Sequence, residues 1–198
     1  ALWGAQASEA QFAVLVRVFD EVIKRLPSLR PTSVLDYGAA TNMARRYGRS
    51  PSHRRLIAAI PHGHWRTTTF IAGLRQTGVI APLVLDGPIT GCAFRAYVAQ
   101  FLAPALAPGD VLVLDNLSAH KVDGVRQAVT AAGASILYLP PYSPDFNPIE
   151  QLFAKLKAIL RKVAARTKDE LWQAIGRLLD ASPAECANYL NHCGYGSI

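Results

Sequence analysis

Residues 111–150 have the sequence VLVLDNLSAHKVDGVRQAVTAAGASILYLPPYSPDFNPIE. An apolar run ends at Asp115, a helical pattern and a second apolar run follow, and a proline-rich segment leads to Glu150. Short, fully apolar runs are typical of buried parallel strands, which a helical crossover joins. This stretch therefore predicts an α/β fold in which two carboxylates, separated by the 34 residues 116–149, can meet at one edge of a sheet.

The rest of the chain supplies further elements around this unit. Apolar periodicity predicts helices over 8–26, 92–102, 120–132, 148–163, 168–181 and 183–191. Strands are predicted at 34–36, 55–60, 67–71, 79–85, 111–115 and 135–139, with a loop beginning at Gly38. Short turns between the strands before residue 86 indicate an antiparallel meander. The fold class is therefore α/β, a mixed sheet flanked by helices.

Asp36 closes a short apolar run in the same way as Asp115. Ligand sites in open α/β sheets favour the carboxyl ends of strands. Carboxylate oxygens are ligands that Mg²⁺ accepts. Asp36, Asp115 and Glu150 are therefore candidate ligands of a divalent metal, although Glu150 has a second interpretation that needs no function. Asn147 at the N-cap, Pro148 at N1 and Glu150 at N3 would form a capping box at the start of a helix.

The helix that begins near Pro148 carries an apolar stripe that should pack on the core. Glu150, Ala154, Lys157 and Arg161 share an adjacent face, where a backbone phosphate could lie beside the carboxylate. The residues of the apolar stripe are Ile149, Leu152, Phe153, Leu156, Ile159, Leu160 and Val163.

Positive charge is concentrated in two stretches, and the formal net charge is +7. Neither the stretch from Tyr37 to Leu85 nor the stretch from Gln151 to Lys168 contains an acid. Basic residues on both sides of the carboxylates indicate a polyanion such as DNA, and the alternative is a solvated basic surface. The basic residues are Arg45, Arg46, Arg49, Arg54, Arg55, Arg66 and Arg75 in the first stretch, and Lys155, Lys157, Arg161, Lys162, Arg166 and Lys168 in the second. The predicted DNA contacts are Arg45, Arg46, Arg49, Lys157 and Arg161.

Other classes of protein fit the sequence less well. No apolar stretch reaches the ~20 residues that a membrane helix needs, and residues 1–16 lack the pattern of a signal peptide. We expect a cytoplasmic protein. Cys186, His192 and Cys193 could be imagined as zinc ligands, and His62 and His64 as a metal pair, but a short tail cannot complete four-coordination and turn histidines are common.

The motifs DNLSAH at 115–120 and LPPYSPDFNPIE at 139–150 resemble those of the DDE transposases. The similarity is to the mariner-like branch that includes bacterial insertion-sequence enzymes. The segments PHGHW at 61–65 and APLVLDG at 81–87 resemble the bacterial members in particular. The resemblance covers about residues 36 to 195.

This resemblance implies an RNase H-like fold with Asp36, Asp115 and Glu150 as the catalytic triad. It implies two Mg²⁺ or Mn²⁺ ions that activate water and then a DNA 3′-hydroxyl for attack on a phosphodiester. The expected partners are transposon-end and target DNA and a second copy of the chain, with the protein associated with the nucleoid. Asn116 is expected to orient the site, and His120 to contact phosphate or cap the following helix.

The chain departs from the family at its start. Tyr37 follows Asp36 where family members usually have glutamate, and their helix-turn-helix modules lie well upstream of the first aspartate. Residues 1–38 weakly resemble a ribosome-associated methyltransferase-like protein, with VLDYG at 34–38 similar to an S-adenosylmethionine motif that lacks its further glycines. We therefore divide the chain into an N-terminal helical extension, 1–33, foreign to the family, and a catalytic domain, 34–195.

Three hypotheses follow from these patterns. The first is a metal-dependent enzyme of DNA strand cleavage and transfer. The second is an inactive DNA-binding remnant of such an enzyme, which would bind DNA without cutting it. The third is a methyltransferase-like module, which the missing glycines speak against.

Overall fold

A computed structural model describes residues 30–40, 49–57, 67–164, 167–177 and 179–195 of the chain. Its sheet has five strands in the order β3-β2-β1-β4-β5. The strands are β1 (Arg30–Ala40), β2 (Thr67–Arg75), β3 (Gly78–Asp86), β4 (Asp110–Leu114) and β5 (Ser135–Tyr138). The α-helices are α1 (Gly91–Tyr97), α2 (Val125–Ala131), α3 (Ile149–Val163), α4 (Lys168–Gly176) and α5 (Pro183–His192). The predicted mixed sheet flanked by helices is confirmed.

The central strand β1 is longer than the sequence predicts. It pairs antiparallel with β2 from Ser33 to Ala40 and parallel with β4 from Arg30 to Val34. The prediction that a loop begins at Gly38 is wrong, because Gly38 pairs with Thr69 between β1 and β2. Since the strand continues, the VLDYG segment does not form the turn that a cofactor-binding motif needs. This finding speaks against the methyltransferase-like hypothesis.

The antiparallel meander consists of β1, β2 and β3. The predictions of β2 and β3 are confirmed: β2 begins at Thr67 as predicted and continues to Arg75, and β3 extends one residue beyond each predicted end. The strand predicted over 55–60 is not present in its described part, since residues 55–57 have no regular structure. Residues 58–60 lie outside the described part of the chain, as do His62 and His64.

Each face of the sheet is covered by helices, which explains why β2 is buried along almost its whole length. Alternate residues of β2 point to opposite faces. Phe70, Ala72 and Leu74 pack with α3, α4 and α5 on one face, and Ile71 packs with α1 and α2 on the other. The buried positions of β4 and β1 complete the second core. This arrangement holds the carboxyl end of β4 beside the middle of β1, where Leu114 pairs with Val34.

The helices agree with the predictions in number and order over the described residues, and they differ in their ends. The predicted helix 92–102 changes from α to π geometry at Val98 and to 3-10 geometry at Ala103. The predicted helix 120–132 is a 3-10 turn at Ser118–Lys121 followed by α2. Helix α4 ends at Gly176 rather than at 181. The predicted helix 8–26 lies outside the described residues, and the domain division at 33/34 stays a prediction.

None of the described helices is long and apolar enough to cross a bilayer.

Arg75, a member of the first basic stretch, has a structural role. Its guanidinium forms an ion pair with Asp110, whose side chain is completely buried at the start of β4. It also donates to Thr32 Oγ1 (3.0 Å), while the Ala107 N–H donates to Asp110 Oδ2 (2.7 Å). Arg75 therefore ties β2 to β1 and β4 at the edge where β4 begins.

We expect Arg75→Ala to destabilise the protein by about 2–3 kcal/mol, because it leaves the buried Asp110 carboxylate without its cation. Urea unfolding of the two proteins would measure the difference. Arg95→Ala, which removes an exposed arginine from α1, is the matched control and should change the stability by less than about 0.5 kcal/mol. Equal stabilities of the intact chain and Arg75→Ala would contradict the role assigned to the ion pair.

Candidate active site

Two of the predicted carboxylates lie on adjacent parallel strands. Asp115 directly follows β4, and Asp36 lies in β1 two residues after Val34, which pairs with Leu114. The backbone of Asp36 is also paired with Ile71 of β2. The backbones of the two aspartates are thus neighbours where β4 ends, although Asp36 lies inside β1 and does not close its strand as the sequence predicts. The side chain of Asp36 is outside what the structure describes.

Glu150 reaches the same edge on helix α3. Strand β5 lies beside β4, and the Leu139 N–H donates to the Leu114 carbonyl (2.8 Å), so the segment that leads to α3 starts next to Asp115. Asn147 has extended backbone angles (φ −106°, ψ 100°) and Pro148 has helical ones (φ −57°, ψ −32°). The helix itself is assigned from Ile149 and has no side-chain capping bond at Pro148. Glu150 is the second residue of this helix and lies in its first turn.

The negative charge of Asp115 acts on the Glu150 carboxyl. Burial raises the pKa of the Glu150 carboxyl above its ordinary value, the Lys157 ammonium lowers that pKa, and the negative charge of Asp115 raises it. A like charge raises a carboxyl pKa only when it is near. The fold has therefore brought together two acids that are far apart in the sequence.

His120 lies against the Asp115 carboxylate. Its Nδ1 atom lies 2.5 Å from Asp115 Oδ1, and its ring lies on the Phe94 ring with centroids 4.2 Å apart. The Leu117 N–H also donates to Asp115 Oδ1 (3.3 Å). The His120 side chain is fully buried, which contradicts the expected contact with phosphate.

The alternative expectation, that His120 caps the next helix, is also wrong. Helix α2 begins after Gly124, which has a left-handed backbone (φ +94°) and offers no side-chain cap. His120 lies instead within the preceding 3-10 turn, and the Tyr138 hydroxyl donates to its carbonyl oxygen (3.2 Å).

The donor set suits a hard divalent cation. Asp115 and Glu150 offer carboxylate oxygens, and a cation between them would relieve their repulsion. The Oδ1 atom of the adjacent Asn116 is buried and has no hydrogen-bond partner among the described residues. Within the described side chains, which exclude Asp36, no three His, Cys, Asp or Glu residues form a complete metal-binding group. The alternative zinc site at Cys186, His192 and Cys193 is therefore absent, and Cys186 belongs to the core.

The basic residues of α3 differ in their surroundings. The Lys155 ammonium lies 2.6 Å from Glu185 Oε1, Lys157 is half-buried and interacts with Glu150, and Arg161 is exposed. Arg49 is exposed, whereas Arg45 and Arg46 lie outside the described residues. The predicted apolar stripe is buried except at its end, where Val163 is 39% exposed and Ile159 is partly buried.

Two contributors to the site were not predicted from the sequence. Phe94 supports His120 from α1, and no local pattern could have revealed it. Tyr138 bonds to the His120 backbone from the end of β5. Its place within the apolar run 135–139, one residue before the end of that run, was the available signal.

Comparisons with known proteins agree with this geometry. The family described as DDE superfamily endonuclease matches residues 36–172. The comparison with curated protein sequences found no match. Among solved structures, the Mos1 transposase paired-end complex with left transposon end is similar at 17% identity with a TM-score of 0.73, over 100% of this chain and 62% of that chain.

Two further solved structures are similar. The Mos1 mariner paired-end complex with Mn has 18% identity and a TM-score of 0.74, over 98% of this chain and 62% of that chain. The catalytic domain of Mos1 mariner transposase has 14% identity and a TM-score of 0.65, over 98% of this chain and 91% of that chain. At these identities the likeness concerns the fold, which is RNase H-like. The family match spans well over half of the chain, and the protein therefore belongs to the DDE superfamily endonucleases.

Proposed function

We propose that this protein is the catalytic domain, residues 34–195, of a transposase that cleaves DNA and transfers the cut strand. The observation that carries the proposal is the meeting of Asp115 and Glu150, with the backbone of Asp36 on the neighbouring strand. Together the three residues would supply the carboxylates of a metal site, and membership of the endonuclease family supports their use on DNA.

The proposed cofactor is a pair of Mg²⁺ or Mn²⁺ ions, held by Asp36, Asp115 and Glu150. When bound, such ions increase the reactivity of an attacking hydroxyl and stabilise the charge that develops on a phosphodiester. His120 is proposed to keep the Asp115 carboxylate in one orientation. Its ring packs on the Phe94 ring while its Nδ1 atom contacts Asp115 Oδ1. Asn116 would complete the polar surroundings of that carboxylate. Mos1 structures with Mn and with Mg support the choice of ion.

The proposed partners are transposon-end DNA, target DNA and a second copy of the chain. Mos1 is described in paired-end complexes with a transposon end, and this chain covers 62% of the Mos1 chain there. Arg49, Lys157 and Arg161, together with Arg45 and Arg46, are the proposed contacts to phosphate. We also propose a cytoplasmic protein associated with the nucleoid, because its substrate would be chromosomal DNA.

Nicking of supercoiled plasmid with Mg²⁺ or Mn²⁺ tests this function. We expect the intact chain to nick only when the metal is present, and Asp36→Ala and Glu150→Gln to lose that activity while remaining folded. Glu185→Gln, which changes an acid on α5, is the matched control and should nick normally. If a folded intact chain binds DNA and does not nick it, the protein is an inactive DNA-binding remnant and the enzymatic proposal fails.

Arg161→Ala should lower the slope of log K against log salt concentration for duplex DNA by ~1, because one phosphate contact is lost. Lys155→Ala is the matched control on the same helix, since its ammonium is engaged by Glu185. We expect a much smaller change of slope for Lys155→Ala. Fluorescence anisotropy at several salt concentrations measures both slopes, and equal slopes for the intact chain and Arg161→Ala would remove Arg161 from the DNA surface.

A further inference from the structure

A cavity of about 470 Å³ lies outside the carboxylate site. It is formed by the end of the Ser118–Lys121 turn, the segment that leads into α2, the first residues of α2 and the end of β5. Helix α2 packs on the opposite face of the sheet from α3, which carries Arg161. The cavity is therefore separate from the basic surface assigned to DNA above.

The walls of the cavity combine an aromatic ring with two cations. Lys121 Nζ lies 5.6 Å and Arg126 Cζ lies 5.9 Å from the centroid of the Tyr138 ring. Both distances are within the range of cation–π attraction, which holds the long side chains near the ring. Asp123 is the one acid among the lining residues, so the lining carries a net charge of about +1.

The size and chemistry of the cavity indicate its ligand. Sites for small organic ligands have volumes of roughly 300–1,000 Å³, and a phosphate group alone would leave most of this space empty. Aromatic rings that accept stacked bases, combined with cations that hold the backbone, are the means by which proteins bind single-stranded nucleic acid. A nucleotide satisfies both features of the cavity.

The cavity is connected to the proposed catalytic site by short contacts. The Tyr138 hydroxyl donates to the His120 carbonyl, and His120 lies against Asp115. Lys121 is the next residue after His120. A strand that passes the carboxylates at the sheet edge would therefore reach the cavity within a short distance of the bond to be cut.

We propose that this cavity binds an unpaired nucleotide of the DNA substrate, with its phosphate between Lys121 and Arg126 and its base on the Tyr138 ring. This inference rests on the proposed function, because the strand that enters the cavity would be the DNA that is cut beside Asp115. The cavity would then bind single-stranded DNA, in addition to the basic surface that is proposed to bind duplex DNA.

Binding of a labelled single-stranded oligothymidylate, measured by anisotropy in EDTA, tests the proposal. Tyr138→Leu should weaken binding about tenfold, whereas Tyr138→Phe, which keeps the ring, should bind like the intact chain. The double variant Lys121→Ala/Arg126→Ala should reduce the salt slope by about 0.7, since each phosphate neutralised on a single strand contributes about 0.7 and the two cations share one phosphate. Arg177→Ala, an exposed arginine at the end of α4, is the charge control and should leave the slope unchanged.

The outcomes separate this proposal from the proposed function, because the binding assay needs neither metal nor cleavage. Equal affinity of Tyr138→Leu and Tyr138→Phe, with an unchanged slope for the double variant, would overturn the nucleotide site even if metal-dependent nicking is observed. Equal losses on single-stranded and duplex DNA would also overturn it, because the ligand would not be an unpaired nucleotide. Selective loss on the single strand would support it even if the intact chain does not nick.

Discussion

Replacing Asp115 with alanine should lower metal-dependent nicking of plasmid DNA by about 10³-fold or more. Asp115 directly follows β4, and its carboxylate lies against His120 Nδ1. Its negative charge raises the pKa of the Glu150 carboxyl. Losing a metal ligand removes several kcal/mol of transition-state stabilisation, and about 4 kcal/mol corresponds to a 10³-fold slower reaction. Nicking rates under excess enzyme, with Mg²⁺ and with Mn²⁺, measure this effect.

The DNA affinity of the Asp115→Ala variant should stay within about threefold of that of the intact chain in EDTA. Affinity comes from cations that contact phosphates, and removal of a carboxylate takes none of these cations away. Asp180→Ala is the matched control, because it removes an exposed aspartate in the turn between α4 and α5. Equal losses of binding and nicking in Asp115→Ala would show that Asp115 supports the fold or the DNA surface, and its assignment as a metal ligand would fail.

The positions of Asp115 and Glu150 could be predicted because local signals mark both. An apolar run ends at Asp115, and a proline-rich segment followed by helical periodicity marks Glu150. The length of β1 could not be predicted in this way. Its hydrogen bonds come from β2 and β4, and these long-range partners extend the strand through Gly38, a residue that usually marks a loop.

The environments of individual polar residues could not be predicted from the sequence either. Arg75 belongs to a basic stretch and looks like a DNA contact, yet its partner Asp110 lies 35 residues further along the chain. His120 was expected to contact phosphate or to cap the following helix, and it is buried instead, with the Phe94 ring against its own. In both cases the deciding contact is between elements that only the tertiary fold brings together. Residue type and spacing therefore located the candidate site, but they did not assign the roles around it.

Replacing Phe153 with alanine should have the largest effect on stability, a loss of about 3–5 kcal/mol. Phe153 is fully buried on α3, and its ring meets the Phe70 ring of β2 edge to face with centroids 5.8 Å apart. The variant would leave a cavity at the junction of the sheet with α3, and close packing on both sides limits any collapse into it. Thermal unfolding should show a midpoint lower by roughly 6–20 °C for a domain of this size.

The consequence for function follows from the position of Phe153 three residues after Glu150. Because α3 carries Glu150 to the sheet edge, a loosened helix should lower nicking even below the melting temperature, while Asp115 and its contacts remain intact. Phe101→Ala is the matched control, since that ring is 43% exposed, and it should cost at most about 1 kcal/mol. Should Phe153→Ala unfold within about 0.5 kcal/mol of the intact chain, α3 would not be packed on β2 as described. The geometry that joins Glu150 to Asp115 would then lose its support.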